Sequence, residues 1–304
     1  MNASDLVSGP ILARRSGGGS ARALLLRMGA VLIVLWSVSP FLWQLSTAFQ
    51  EDKKLVSSSP SFIPDPLTFI HFYNIFVIKK FQIYLLNSVI VAGTATLLCT
   101  LFGTLTAFAL ARLRVRYRFG ILGLILTVSM FPQIAIVGPL YLIASQLGLL
   151  DTYLSLIIVY LTFGLPLMIW VLFGYFSSIP REIDESAGID GAGPFRTLFL
   201  ITLPMSLPAL VTTGLISFIA SWNEFMFALA FTSDIRHQTV PVGIANFQSL
   251  YFVPWGDLSA ASVVVTIPLV LMVLFFQRQI ISGLTSGAVK ERWILLAGPT
   301  LTKH

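Results

Sequence analysis

Few residues in this sequence have a type and spacing that could do chemistry. A loop that cradles nucleotide phosphates needs Gly-x-x-x-x-Gly-Lys followed by Ser or Thr. The lysines here are followed by Lys54, Leu55, Lys80, Phe81, Glu291 and His304, so the chain carries no ATP-hydrolysing site of that kind. His71, His237 and His304 are scattered, with no metal-ligand spacing, and no Gly-x-Ser-x-Gly nucleophile turn occurs. Cys99 is the single cysteine, which excludes an intrachain disulfide. Two polar groups remain. One is an acidic stretch, with Glu182, Asp184, Glu185 and Asp190 against only Arg181 and Arg196. The other is a stripe in an apolar run, where Ser217, Ser221 and Glu224 fall on one helical face and Thr213 continues it. An ionisable residue in such a run is a candidate ion or proton relay. The bland alternative is an interfacial acid reaching water, because Glu224 lies about 30 Å of helix beyond Pro204. The hydroxyls line either a helix contact or a solute pathway. Trp222, Asn223 and Phe225 add ring faces and an amide beside this stripe.

The elements that must position these groups are membrane helices. The 304 residues are 56% hydrophobic and 11% charged, with a mean hydropathy of +0.87. Soluble domains carry about 25% charged residues, so lipid must be the main solvent. Six segments reach the roughly 20 apolar residues that a bilayer core requires: 24–46, 84–110, 119–143, 153–176, 204–231 and 259–282. Helices are required, because hydrocarbon offers no partner to an open backbone. Pro40, Pro132, Pro139, Pro166, Pro208 and Pro268 fall inside these runs and predict kinks packed against protein. The first run follows Arg14, Arg15, Arg22 and Arg27 as a signal peptide would, but it is too long and has no small-residue cleavage site. It is expected to be a retained anchor, preceded by a flexible lead over 1–23. Ala92, Thr96, Thr100 and Thr104 recur every fourth residue, a pattern of close helix packing.

With the N-terminus cytoplasmic, fourteen of the 19 basic residues fall inside. Lys53, Lys54, Lys79, Lys80 and Arg236 fall outside. Positive charge marks the cytoplasmic side, so both termini are expected there. The net charge of +6 is then explained by topology rather than by nucleic acid.

The acidic stretch departs from this pattern, since it is an inner loop that is neither short nor basic. Pro180 suits a helix start, with acids in the following turn. Ile183 and Ala187 lie one turn apart, as do Glu182 and Ser186. "DGAGP" stops the helix and Pro194 opens a second one. The second helix is expected to run directly into the fifth span through "FLITLP", giving a rigid elbow over 181–199.

The spacing of this elbow resembles the EAA loop of the membrane subunits of ATP-binding-cassette importers. That motif reads Glu-Ala-Ala, three residues, Gly, nine residues, Ile-x-Leu-Pro. Here the frame is Glu185-Ser186-Ala187, Gly191 and Ile201-Thr202-Leu203-Pro204, with Ser186 replacing the first alanine. "LLNSVIVA", "SIPREIDESAGIDGAGPF", "SWNEFMFAL" and "FFQRQIISGLTSGAVKE" are similar to the second permease of carbohydrate importers of the maltose and glycerol-phosphate type, covering roughly 24–291. The glycine-rich N-terminus and the tail after Glu291 depart from it. The resemblance implies an all-α integral membrane protein with a six-helix domain over 24–283, a coupling loop between the fourth and fifth spans, and a cytoplasmic tail over 284–304.

It further implies a non-catalytic subunit of a bacterial inner-membrane importer. Glu185, Ser186, Ala187, Asp190 and Gly191 would dock on a cytoplasmic ATPase, present in two copies and holding the ATP and magnesium. This chain would hold no cofactor or metal. The other partners implied are a homologous second permease, an extracytoplasmic solute-binding protein, a sugar and membrane lipid. "GLTSGAVKE" is expected to reach the ATPases as well. The outer segments 47–83 and 232–258 are either binding-protein surfaces or inert loops. Ser217, Ser221, Trp222, Asn223 and Glu224 are the pathway candidates, although in the maltose-type relatives the partner permease supplies most of the substrate site. The rival readings are an ion-coupled secondary transporter, which would need buried ionisable residues, and a membrane assembly protein, which would not need the acidic elbow.

Overall fold

The computed structural model describes residues 19–55, 62–249 and 252–296. The lead 1–18, Pro60 and the tail end 297–304 lie outside the described residues. In chain order the helices are α1 (Gly19–Ala48), α2 (Asp52–Leu55), α3 (Ile70–Tyr73, continued by a π turn over Asn74–Ile78), α4 (Phe81–Arg112), α5 (Arg118–Ser129), α6 (Gln133–Gln146), α7 (Tyr153–Ser178) and α8 (Arg181–Ile189). There follow α9 (Pro194–Thr197, continued by a π turn over Leu198–Thr202), α10 (Leu203–Met205), α11 (Leu207–Trp222), α12 (Met226–Phe231), α13 (Val240–Ala245) and α14 (Trp255–Leu296). All regular structure among the described residues is helical.

Four helices are long and apolar enough to cross a bilayer: Ala23–Ala48, Phe81–Arg112, Tyr153–Ser178 and Trp255–Ile280. Two bent pairs bring the number to six when each pair is counted as one span. Both pairs are far sharper breaks than the proline kinks expected, and the second falls at Ser206 rather than at Pro208. The third span turns by 90° between α5 and α6. Pro132 sits at the break with an extended backbone (ψ 124°) as the cap of α6. It has no N–H to continue α5 and disfavours helix in the residue before it. At the fifth span, Pro194–Met205 meets Leu207–Trp222 at 81°, with the corner at Ser206. The elbow therefore reaches the span through a right-angled corner and not as one rod. This span also stops at Trp222, and α12 follows as a separate short helix. Pro40, Pro139, Pro166 and Pro268 lie within helices, whereas Pro208 lies in the first turn of α11.

The centre of the bundle is the parallel pair α4 and α7, which meet from Asn87 and Tyr153 near their starts to Arg112 and Ile179 at their ends, and α11 packs on both. Ala92, Ala95, Cys99 and Ala107 are buried along α4, and their small side chains let the helices approach closely. Thr100 belongs to the contact with α11, its Oγ1 lying 3.7 Å from where a Cβ on Gly214 would be. In contrast, α1 packs chiefly on α14 and leaves its apolar surface open, with Trp36 83% exposed. The expectation that a proline-bearing span is enclosed by protein fails for α1 within this chain.

At the end of the bundle opposite the elbow, the segment after α12 is pinned to the helices by hydrogen bonds. Asn87 donates to the carbonyls of Ile235 (3.0 Å) and Gln238 (2.8 Å) and accepts from Tyr153 Oη (2.7 Å). The backbone N–H of Val240 donates to Ser88 Oγ at 2.8 Å. Asp151 accepts from the backbone N–H of Asp234 at 2.9 Å and from Ser233 Oγ at 2.6 Å. The Ser233 hydroxyl is the main cause of the lowered pKa of Asp151.

Candidate coupling and transport site

The elbow begins where α7 ends at Ser178. Helix α8 is closed by a Schellman arrangement: Ala192 N–H donates to Ala187 O (2.8 Å) and Gly191 N–H to Gly188 O (3.1 Å). Gly191 supplies the left-handed residue this stop requires, at φ 77°. Gly193 then caps α9, with Pro194 in its first turn, as the "DGAGP" punctuation predicted. Ser186 Oγ donates to Glu182 O within the helix (2.8 Å). Ala187 is buried and faces its own protein, so its small side chain serves packing within the chain. Glu185, Ser186, Asp190 and Gly191 are exposed. Ile189 (88%) and Phe195 (73%) join them as bare apolar groups at the tip.

One residue that sequence reasoning passed over fixes the base of the elbow. Arg112 ends α4 and has a side chain 4% exposed. Its Nε forms an ion pair with Asp184 Oδ2 at 2.9 Å. Its Nη1 donates to Ile179 O (2.9 Å) and its Nη2 to Pro180 O (3.3 Å). The planar fork of arginine suits this three-point attachment. Asp184 is thereby withdrawn from any outside partner, while Glu182 and Glu185 stay exposed. Farther along, Tyr175 Oη donates to Met205 O at 3.1 Å, tying α7 to the corner at Ser206.

The polar stripe lines a cavity of about 160 Å³ between α7 and α11. Thr213, Ser217, Ser221 and Glu224 all contribute to its wall. Tyr160, Gly164 and Met168 form the α7 side, and Gln133 joins from the first residue of α6. The break in the third span thus delivers an amide to the cavity. A glutamine directly after a proline in an apolar run was the available signal for it. Tyr160 carried no such signal, because the side facing the cavity is set by packing. Gly164 lies where the helices nearly touch: a Cβ there would be 2.7 Å from Cys99 Sγ and 3.3 Å from Ser217 Oγ.

Glu224 is half-buried, and its carboxylate is held by the chain itself. It accepts from Tyr160 Oη (2.8 Å) and from the backbone N–H groups of Phe227 (2.9 Å) and Ala228 (3.1 Å). It therefore caps α12 while facing the cavity, rather than reaching out as a simple interfacial acid. Two pathway candidates lie elsewhere. Trp222 is buried with Phe218 and Ala92, its ring 5.5 Å from that of Phe218. Asn223 is exposed and donates to Ile219 O at 2.8 Å, on its own helix. Neither lines the cavity.

Comparison with known proteins places these sites in a family. Residues 99–285 match the binding-protein-dependent transport system inner membrane component family. The chain belongs to that family. This permease is 44% identical to the trehalose/maltose transport system permease protein MalG of Thermococcus litoralis, over 88% of this chain and 97% of that one. It is 36% identical to the trehalose transport system permease protein SugB of Mycobacterium tuberculosis, over 90% and 99% respectively. Its fold is similar to a crystallised bacterial ABC transporter involved in the import of the acidic polysaccharide alginate (TM-score 0.73, 20% identity, 89% of this chain and 99% of that one). The resemblance drawn from the 185–204 frame is borne out at the level of the family, and the permease is a multi-pass membrane protein.

Proposed function

We propose that this permease forms half of the membrane pathway of an ATP-driven importer for a sugar or sugar-like solute, and that it takes its driving force from a separate ATPase through the 181–199 elbow. The observation that carries the reading is the elbow itself: its outward face is exposed and its base is fastened to three membrane helices. Glu185, Ser186, Asp190 and Gly191 present acid and small groups at the tip, a surface suited to a complementary basic cleft. Ala187 keeps α8 close to its own bundle. Displacement of α8 passes through Arg112 to α4 and α7, and through the corner at Ser206 to α11. Because α7 and α11 are the two walls of the cavity, their relative movement alters it directly. Ser217, Ser221 and Glu224 offer hydroxyls and a carboxylate edge to a polyhydroxylated solute, joined by Gln133 and Tyr160.

A second, homologous permease completes the pathway in this reading, two ATPase copies bind ATP and magnesium, and an extracytoplasmic binding protein delivers the sugar. The elbow and both termini face the cytoplasm of a bacterial cell. The permease itself performs no covalent chemistry. The trehalose and maltose names of the similar proteins support a disaccharide-sized solute.

The test is affinity purification in mild detergent followed by mass spectrometry and transport assays. A P-loop ATPase is expected to co-purify, and Glu185→Lys is expected to insert normally yet lose most of that ATPase. Transport of solute by the purified chain alone in liposomes, driven by an ion gradient, would overturn the proposal in favour of a secondary transporter.

A further inference from the structure

A second cavity, of about 290 Å³, lies at the elbow end of the bundle and plays no part in the pathway. It is lined by Arg112, Arg118 and Arg181 together with Phe119, Phe173 and Ser177. Its size is near the lower limit of small-ligand clefts, roughly 300 Å³. The charge of Arg112 is matched by Asp184. Arg118 and Arg181 have no carboxylate partner among the described residues, and no carboxylate lines the cavity. These two arginines are also the first residues of α5 and α8, helices of 12 and 9 residues. The start of α5 has no acid in its first turn, whereas that of α8 carries Glu182 and Asp184, so it is the two unpaired guanidinium groups rather than the helix ends that the cavity offers to an anion. Such a lining has the charge and the planar donors that a phosphate anion would pair with.

The surroundings decide which phosphate. The cavity sits where α4, α5 and α7 reach the membrane boundary, so its cationic lining lies at headgroup depth. Beside it the surface of α5 is apolar and open, with Phe119 and Leu124 each 67% exposed. The guanidinium of Arg118 lies 4.8 Å from the Phe119 ring centroid, bridging the charged mouth and the apolar flank. A soluble phosphate has no use for that flank, whereas a phospholipid fills both parts, its phosphodiester at the arginines and its acyl chains along α5. We propose that this cavity binds the headgroup of an anionic phospholipid, in contact with the first residue of the coupling helix. The inference does not depend on which way the chain is inserted or on whether an ATPase docks, because the cavity is at the elbow end in every case.

The experiment is native mass spectrometry of the full-length permease in detergent, titrated with dioleoyl phosphatidylglycerol, dioleoyl phosphatidylcholine or inorganic phosphate. The wild-type chain is expected to retain one phosphatidylglycerol in preference to phosphatidylcholine. The double variant Arg118→Gln/Arg181→Gln removes both guanidinium partners of the phosphate and is expected to weaken that preference roughly thirtyfold. Arg114→Gln/Arg116→Gln removes equal charge from the same end without touching the lining, and is expected to leave the preference within about threefold. Ser177→Asp keeps both arginines and adds a repelling charge, so it should lower the preference even where the arginine variant proves unstable. Equal weakening in both arginine doubles would mean a diffuse surface field and would overturn the site. Retained preference in both Arg118→Gln/Arg181→Gln and Ser177→Asp would do the same, as would displacement of the lipid by inorganic phosphate at comparable concentration.

Discussion

Arg112 and Gly164 show how single residues set the mechanics of this bundle. Arg112 holds the elbow at three points, of which two are main-chain carbonyls. Hydrogen bonds involving a charged group contribute about 1.5–3 kcal/mol each, and the lower end applies because Asp184 is part-exposed. Arg112→Gln should therefore leave the importer assembled while lowering solute moved per ATP hydrolysed several-fold. Arg112→Lys keeps the charge but not the fork, and is expected to fall between the two. An unchanged transport-to-hydrolysis ratio in reconstituted complexes would remove Arg112 from the force path. Gly164 is limited by space rather than charge. Its added methyl in Gly164→Ala would press on Cys99, and overpacking of this kind costs about 1–3 kcal/mol. Thermal denaturation in detergent is expected to show that destabilisation, and Cys99→Ala should reverse most of it by vacating the space.

At the scale of elements, the anchor at the start of α14 carries a titratable fastening. His71 is fully buried, with Nδ1 2.8 Å from Asp257 Oδ1 and Nε2 2.8 Å from Gln50 O. A carbonyl oxygen only accepts, and Asp257 is ionised beside Lys79 Nζ at 3.0 Å. Both ring nitrogens must then donate, so His71 is an imidazolium. Burial alone would lower its pKa, but the bonds to Asp257 and Gln50 and the charge of Asp52, 3.8 Å away, raise it above the ordinary 6.5. Asn74 completes the shell with a 3.2 Å bond to Asp257. A raised folded-state pKa stabilises fully below about 6.5, and that stabilisation is lost as pH rises through the raised value. The attachment of α3 to α14 should accordingly loosen on the alkaline side. Thermal stability measured against pH should decline there in the wild-type chain, and His71→Gln should flatten that part of the profile. A wild-type profile already flat across this range would refute the imidazolium. None of this was legible in the sequence, because Asp257 lies 186 positions from His71. Spans 84–110 and 153–176 were legible to within a few residues, since hydropathy reports how much apolar chain is present. It does not report direction, and the right-angled turns at Pro132 and Ser206 escaped it. Proline was an ambiguous flag, as Pro139 and Pro166 remain inside helices. In the site, the Thr213-to-Glu224 stripe was readable from its period, whereas Tyr160 and the inward turn of Trp222 depend on what packs opposite.

For the whole molecule, charge is sorted along the bundle axis. Arg112, Arg114, Arg116, Arg118, Arg181 and Arg196 gather at the elbow end of α4, while Lys79 and Arg236 lie near its other end. A basic excess on one side of a multi-pass protein sets its insertion, because basic loops resist translocation. The ATPase reading requires the elbow end to be cytoplasmic, so orientation tests both ideas together. Cys99 is buried at 1% exposure, and replacing it with Ser gives a background free of native thiols. On that background Glu185→Cys and Lys53→Cys each place one exposed thiol, at the elbow and on the opposite side respectively. A membrane-impermeant maleimide should label Lys53→Cys in intact spheroplasts and reach Glu185→Cys only after lysis. The reverse pattern would put the elbow outside the cell, beyond any cytoplasmic ATPase, and the force-transmission scheme would then have no source of energy.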